Sequence, residues 1–189
     1  IVGFGGMGHH HFEYIKDSDC MECVGAYDIK QDRMDLAAQK GLRTYTSFDE
    51  VLKDHIIDIV LIATPNDLHK EMAIRSLEAG KNVICEKPVT LNSIELEEII
   101  TCAERTGRFF TVNQNRRWDE DYLIIKKIYA EKTCGDIFNI ESRVHGSRGI
   151  PGDWRGMKKH GGGMLLDWGV HILDQILMMI PEKVKTIYA

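Results

Sequence analysis

The chain has 189 residues with 24 basic and 29 acidic side chains, a net charge of −5, so there is no basic field for nucleic acid or an anionic membrane surface. No apolar run approaches the roughly 18 residues that span a bilayer, and the first residues lack the layout of a secretory signal, which points to a soluble cytoplasmic protein. Five scattered cysteines argue against a disulfide framework, and the lone Cys20-x-x-Cys23 pair has no partner pair or histidine spacing for zinc or redox work, so no metal is expected.

In chain order, Ile1-Val2-Gly3-Phe4-Gly5-Gly6-Met7-Gly8 reads as strand, tight turn and helix. In a G-x-G-x-x-G turn Gly3 makes the reversal, Gly5 lets a pyrophosphate approach the backbone, and Gly8 lets the helix pack closely on the strand. Gly6 and Met7 then open a helix whose free N–H groups and dipole favour an anion. Alone the pattern is weak, because the chain has 17 glycines to distribute and an ordinary loop competes evenly. A second apolar strand, Cys23 to Tyr27, ends in Asp28, 20 residues after Gly8, where a carboxylate can bind an adenosine ribose. The run His9-His10-His11 does not make a metal cluster, since successive helical residues point about 100° apart, and it reads as partly exposed helix.

Gln31 to Lys40 carries Met34, Ala37 and Ala38 at helical spacing and stops at Gly41. Thr44-Tyr45 is a short strand, and Ser47-Phe48-Asp49-Glu50 opens a helix with a capping box. Asp58 to Ala63 is a nearly continuous apolar run, as in a central strand covered on both faces, and Thr64-Pro65-Asn66 ends it. A helix from Leu68 to Ala79 leads to the strand Asn82 to Cys85, which runs into Glu86-Lys87-Pro88. Ser93 caps the next helix, Gly107 closes it, and Phe109 to Val112 is a sixth strand. The alternation predicts an α/β fold with a doubly wound parallel sheet, residues 1–115, and residues 116–189 remain as part of a second domain. Within the latter, Ile137 to His145 and Lys183 to Tyr188 are strand candidates, and Leu165, Ile172, Ile176 and Met179 outline a helix.

The order Gly3-Phe4-Gly5-Gly6-Met7-Gly8, Asp28, Ala63-Thr64-Pro65-Asn66, Glu86-Lys87-Pro88, Asn115-Arg116-Arg117 and Gly161 through Asp167-Trp168-Gly169-Val170-His171 resembles the Gfo/Idh/MocA oxidoreductases, over the whole chain. The joint presence of E-K-P and D-x-x-x-H is far more specific than the glycines. The resemblance implies a Rossmann domain for NAD or NADP and, from residue 116, the start of an α+β substrate domain whose large open sheet covers the nicotinamide and forms a sugar pocket. Relatives of this type continue well beyond Tyr188, so the chain is expected to be part of a longer polypeptide, with most of that sheet absent and its face an oligomer interface. The resemblance makes His171 the acid/base, Lys87 its electrostatic partner and Asp167 a substrate-binding and orienting residue. It also sets Thr64, Pro65, Asn66 and His69, together with Glu86 and Lys87, along the dinucleotide. For Asn66 a helix cap competes equally.

Physical chemistry suits these assignments. Oxidation of a secondary alcohol needs a proton acceptor and tight positioning while carbon gives up hydride. Lys87 follows the carboxyl end of a parallel strand, the edge where doubly wound sheets bind ligands. Asp167 and His171 are i and i+4 on one helix face. Outside the resemblance, a lysine beside proline is commonly an exposed turn, and a lone helical Asp or His is usually structural. Either Arg116 or Arg117 holds substrate or phosphate, Arg117 being the substrate candidate, and Asp174 lines the same face as His171 or faces solvent. Ser147 to His160, with Trp154 and Arg155 inside it, reads as a loop that closes over the nicotinamide or as a mobile surface loop. Asp28 favours NAD, while Lys30 and Arg33 leave NADP possible. The expected substrate is a sugar, inositol or other polyol. A dinucleotide sensor without turnover and an NAD-dependent glycosidase are the competing functions, and the trio Lys87, Asp167 and His171 favours the dehydrogenase.

Overall fold

The structure, a computed structural model, describes residues 1–146, 149 and 152–188. It divides into two compact units, Ile1–Asn113 with Lys159–Gly161, and Gln114–Lys158 with Gly162–Ala189.

The first unit has the parallel strands β1 (Gly25–Ala26), β2 (Arg43–Thr44, one residue before the expected Thr44-Tyr45), β3 (Ile59–Ile62), β4 (Asn82–Glu86) and β5 (Phe110–Asn113). β1 pairs with β2, and β3, β4 and β5 pair in that order with Val60 opposite Val83 and Val83 opposite Phe110. Val2 joins the two groups, bridging Tyr27 on one side and Ile62 on the other. The opening strand is thus one bridged residue whose N–H donates to Leu61 O at 2.8 Å, and the Ala63 N–H donates to Val2 O at 2.8 Å. The strand order reverses at Val2, and in open α/β sheets the carboxyl ends around such a reversal form the ligand crevice.

Five helices cover this sheet: α1 (Gly6–Ile15), α2 (Gln31–Gln39), α3 (Phe48–Lys53), α4 (His69–Glu78) and α5 (Ser93–Thr106). One core cluster joins Val2, Val60, Ile62, Val83 and Cys85 to Phe48, Val51, Ala73, Leu77 and Ile99. The other joins Phe4 and Ala26 to Phe12 and Ala37 on α1 and α2. Each fully buried large apolar side chain contributes about 1.5–3 kcal/mol. Val60, Leu61 and Ile62 are buried in succession, the signature of a strand covered on both faces, whereas Ile59 at its start is exposed.

The helix starts refine the capping expectations. Ser47 Oγ accepts the Glu50 N–H at 3.2 Å, but Glu50 Oε2 reaches back to the Thr46 N–H at 2.8 Å, one residue before the cap. For α5 the cap is Asn92, not Ser93: Asn92 Oδ1 accepts the Glu95 N–H at 3.0 Å and Glu95 Oε2 accepts the Leu91 N–H at 3.0 Å. Ser93 is already helical, and the longer Asn side chain satisfies the same orphan donor from one position earlier.

The second unit carries α6 (Glu120–Ala130) and α7 (Val170–Met179), the latter preceded by a π-helical turn, Leu165–Gly169. The apolar period from Leu165 to Met179 is therefore interrupted rather than continuous. The expected strands Ile137 to His145 and Lys183 to Tyr188 are corrected: the described residues there form no strand. Their alternation is strand-like, but a strand needs a neighbour to satisfy its N–H and C=O groups, and no paired strand is described in this unit. Of the loop Ser147 to His160, residues Ser147, Arg148, Ile150 and Pro151 lie outside the described residues. Among the described residues no helix is long and apolar enough to cross a membrane.

Candidate functional site

The glycine turn is built by contact distances that admit no side chain. Gly3 has φ +88°, and a Cβ there would lie 2.6 Å from Ala63 O. At Gly8 a Cβ would lie 2.0 Å from Gly3 O, so α1 sits against the turn only because this residue is glycine. Gly5, at the N-cap, lends no side chain to the N–H groups of Gly6, Met7 and Gly8, and the first turn has no acidic residue. A helix start of this kind fits a dinucleotide's phosphates.

Asp28 ends the neighbouring strand with a buried carboxylate. Its Oδ2 accepts the Phe4 N–H at 2.8 Å and Arg33 Nη1 at 2.9 Å, while Oδ1 accepts the Lys30 N–H at 2.9 Å. Arg33 also covers Gly5, its Nη1 3.1 Å from where a Cβ would stand. Both oxygens of the Asp28 carboxylate are therefore engaged within the fold, and the Arg33 guanidinium stands beside it. Arg33 stands in the first turn of α2, five residues after Asp28, a spacing that brings its guanidinium back over the strand end.

Two further turns close the crevice at the ends of β3 and β4. Thr64-Pro65-Asn66 follows β3. Asn66 does not cap α4; its buried Nδ2 donates to Gly161 O at 3.2 Å, and next to it His160 Nδ1 lies 2.8 Å from Asp67 Oδ1. His69 has no exposed surface, with Nε2 2.9 Å from Thr64 O and Nδ1 2.9 Å from Pro88 O. Burial pushes its pKa down against the opposing pull of these carbonyls and of Glu86 and Asp67. β4 ends at Glu86 and runs into Lys87-Pro88, with a cis Lys87–Pro88 peptide. Burial would raise the pKa of the Glu86 carboxyl, but hydrogen bonds from His11 and Asn113 outweigh it and hold the group below its ordinary value. His11 Nε2 lies 2.6 Å from Glu86 Oε1, and Asn113 Nδ2 donates to the same oxygen at 2.8 Å. Lys87 is half-buried.

His11 and Asn113 were not legible as site residues. His11 belongs to a run that reads as partly exposed helix, and its contacts with Glu86 and Asn113 span 75 and 102 residues. Thr64 and Pro65 are half-buried.

In the second unit, Asp167 sits in the π-helical turn and His171 in the first turn of α7. π-Turns inside helices occur frequently at functional sites. His171 is buried and meets Trp168 edge-on, with ring centroids 6.0 Å apart. Arg116 lies over the other partner of that contact, 4.4 Å from the Trp168 ring. Arg117 makes a two-pronged pair with Asp174, Nε to Oδ2 at 2.7 Å and Nη2 to Oδ1 at 2.6 Å, which raises the arginine's pKa further. Asp174 thus neither faces solvent alone nor waits for substrate; it anchors the Asn115–Trp118 turn to the helix that bears His171. Gln175 Nε2 adds a bond to Arg116 O at 2.7 Å, and Asn115 itself is exposed. Trp154 and Arg155 form a short turn capped by Asp153, with Arg155 stacked 4.5 Å over the Trp154 ring. Gly163 N–H donates to Arg155 O at 2.9 Å, so the glycine segment folds onto that turn. Among the described residues no group of three or more His, Cys, Asp or Glu is arranged to hold a metal.

Residues 1–114 match a family model described as "Oxidoreductase family, NAD-binding Rossmann fold", and residues 122–189 match the GFO/IDH/MocA C-terminal domain. A crystal structure of an NAD-binding protein from Listeria innocua is 57% identical, with a TM-score of 0.93, covering 95% of this chain and 52% of that one. The scyllo-inositol 2-dehydrogenase (NADP(+)) IolW of Bacillus subtilis is 36% identical over 130 residues, 68% of this chain and 36% of the relative. The uncharacterized oxidoreductase YhhX of Escherichia coli is 37% identical over 183 residues, 95% of this chain and 52% of the relative. The chain spans about half or less of the length of these proteins.

Proposed function

From its membership of the Gfo/Idh/MocA oxidoreductases, to which this chain belongs by both of its matched domains, we propose that the protein oxidises a secondary alcohol of an inositol, sugar or related polyol. An NAD-binding Rossmann domain is what the family model describes, and the nicotinamide, when bound, supplies the hydride acceptor. The observation that carries the reading is the placing of Lys87: it follows the carboxyl end of a central parallel strand, in the same unit as a glycine turn whose helix start is left for phosphate. The scyllo-inositol dehydrogenase among the relatives supports the choice of polyol.

In this reading Gly3, Gly5, Gly6, Met7 and Gly8 bring backbone N–H groups to the phosphates. The Asp28 carboxylate takes the ribose hydroxyls, with Arg33 beside it to accept a 2′-phosphate. Thr64, Pro65, Asn66 and Glu86 shape the crevice, with Trp154 and Arg155 closing it. His171 takes the hydroxyl proton, Lys87 holds the same oxygen and stabilises the charge that develops on it, and Asp167 orients substrate and imidazole. Arg117 acts on the substrate side through its pair with Asp174, which fixes the segment before α6. The second-domain face is read as the surface of a homo-oligomer.

The test is reduction of NAD and of NADP by the polypeptide as its gene encodes it, across inositols, aldoses and polyols. Net formation of reduced nicotinamide with one of these alcohols is expected. Tight dinucleotide binding with no turnover on any of them would instead favour a sensor.

A further inference from the structure

Lys87 carries its ammonium on a flexible four-carbon stem, so the position of its backbone sets where that charge can reach. That backbone is gripped on both sides. Before it, Glu86 Oε2 accepts the Lys87 N–H at 3.2 Å, and the other oxygen of the same carboxylate is held by His11 at 2.6 Å and by Asn113 at 2.8 Å. After it, Pro88 has no N–H, so its carbonyl is the one backbone group by which it can be hydrogen-bonded, and His69 Nδ1 lies 2.9 Å from that oxygen. Each histidine is rooted in a different helix. His11 stands on α1, three residues beyond Gly8, and His69 opens α4 with its second nitrogen 2.9 Å from Thr64 O. Both rings span long sequence distances, 75 residues for His11 to Glu86 and 19 for His69 to Pro88.

We infer that His11 and His69 are positioning residues that bracket Lys87, tying its turn to the glycine turn and to the Thr64–Asn66 turn. Placement of the lysine is thereby coupled to the two segments that border the dinucleotide. The bracket rests on the oxidoreductase reading for the use made of Lys87.

The two ring nitrogens of His69 separate this role from mere packing. His69→Asn places an amide N–H near the Nδ1 position, facing Pro88, and His69→Gln places one near the Nε2 position, facing Thr64. Likewise His11→Gln keeps the donor to Glu86 and His11→Leu removes it. Lys87 is read in two ways on the polypeptide as its gene encodes it: by the resonance of its ¹³C-methylated amine, assigned with Lys87→Arg, and by steady-state kinetics. The resonance is expected to move in His69→Gln and His11→Leu and to stay near wild type in His69→Asn and His11→Gln. Turnover is expected to fall about 10- to 100-fold in the first pair, the scale of an ångström-sized misplacement, with dinucleotide KM within about a factor of 3. Equal effects of His69→Asn and His69→Gln, or a resonance unmoved by all four variants, would overturn the bracket. A protein that turns over no polyol defeats the oxidoreductase reading instead, and the resonances still decide the bracket.

Discussion

Gly8→Ala and Gly6→Ala place the same methyl group two residues apart and are expected to act in opposite ways. At Gly8 the new Cβ would lie 2.0 Å from Gly3 O, a shortfall of about 1.4 Å against the 3.4 Å at which ordinary contact begins. The neighbour is backbone in a turn that itself presses on Ala63, so the strain is relieved by moving α1. Overpacking of this kind costs about 1–3 kcal/mol. The same shift draws the α1 N–H groups away from the phosphates, and losing one charge-assisted hydrogen bond, about 1.5–3 kcal/mol, weakens binding roughly 10- to 100-fold. At Gly6 a Cβ meets nothing within 4 Å, and the residue is already helical. Alanine there is expected to be neutral or to add up to about 1 kcal/mol through helix propensity. Urea unfolding measures stability and fluorescence titration with NADH measures affinity. A Gly8→Ala protein as stable and as tightly binding as the parent would refute the close-approach argument, whatever Gly6→Ala does.

Three other outcomes follow from the site. His171→Ala should slow hydride transfer by about 10²- to 10⁴-fold while NAD affinity changes little; single-turnover kinetics with near-normal rates would show that another group takes the proton. Arg33→Ala should weaken NADP by roughly 10- to 100-fold and spare NAD, as expected of one charge-assisted contact, and equal losses for both dinucleotides in calorimetry would remove Arg33 from the 2′ position. Glu86 has its folded pKa below the ordinary carboxylate value, so its stabilising contribution is present above that value and is lost as pH falls through the folded one. The gap in melting temperature between the parent and Glu86→Gln should therefore be widest near neutrality and close on acidification; a gap independent of pH would contradict a Glu86 carboxylate held by hydrogen bonds from His11 and Asn113.

Much of the first unit was legible because its signals are local. Glycines at Gly3, Gly5 and Gly8, the apolar run through Ile62 and the turn residues Thr64-Pro65-Asn66 each mark an element by their own spacing. Family membership was legible for a related reason: E-K-P and D-x-x-x-H are contiguous strings, and the order of motifs survives without coordinates. Capping was less so, since Asn92 and Ser93 are adjacent candidates with equivalent chemistry, and only the backbone conformation at Asn92 decides between them.

By itself the sequence determined the βαβ alternation and the place of the glycine turn, and its family resemblance pointed to Lys87, Asp167 and His171 as the residues to test. Tertiary structure alone decided which side chains surround them, because contacts across 75 or 95 residues leave no period in the chain: His11 on Glu86, Asn66 on Gly161. It also set Arg33 upon Asp28 and Gly5, and Arg117 upon Asp174, pairings that charge counting offers among many equivalents. Ile137 to His145 shows the same limit from the other side. Its alternation is a strand's, but a strand exists only where a neighbour takes up its backbone hydrogen bonds, and that condition belongs to the fold and not to the segment.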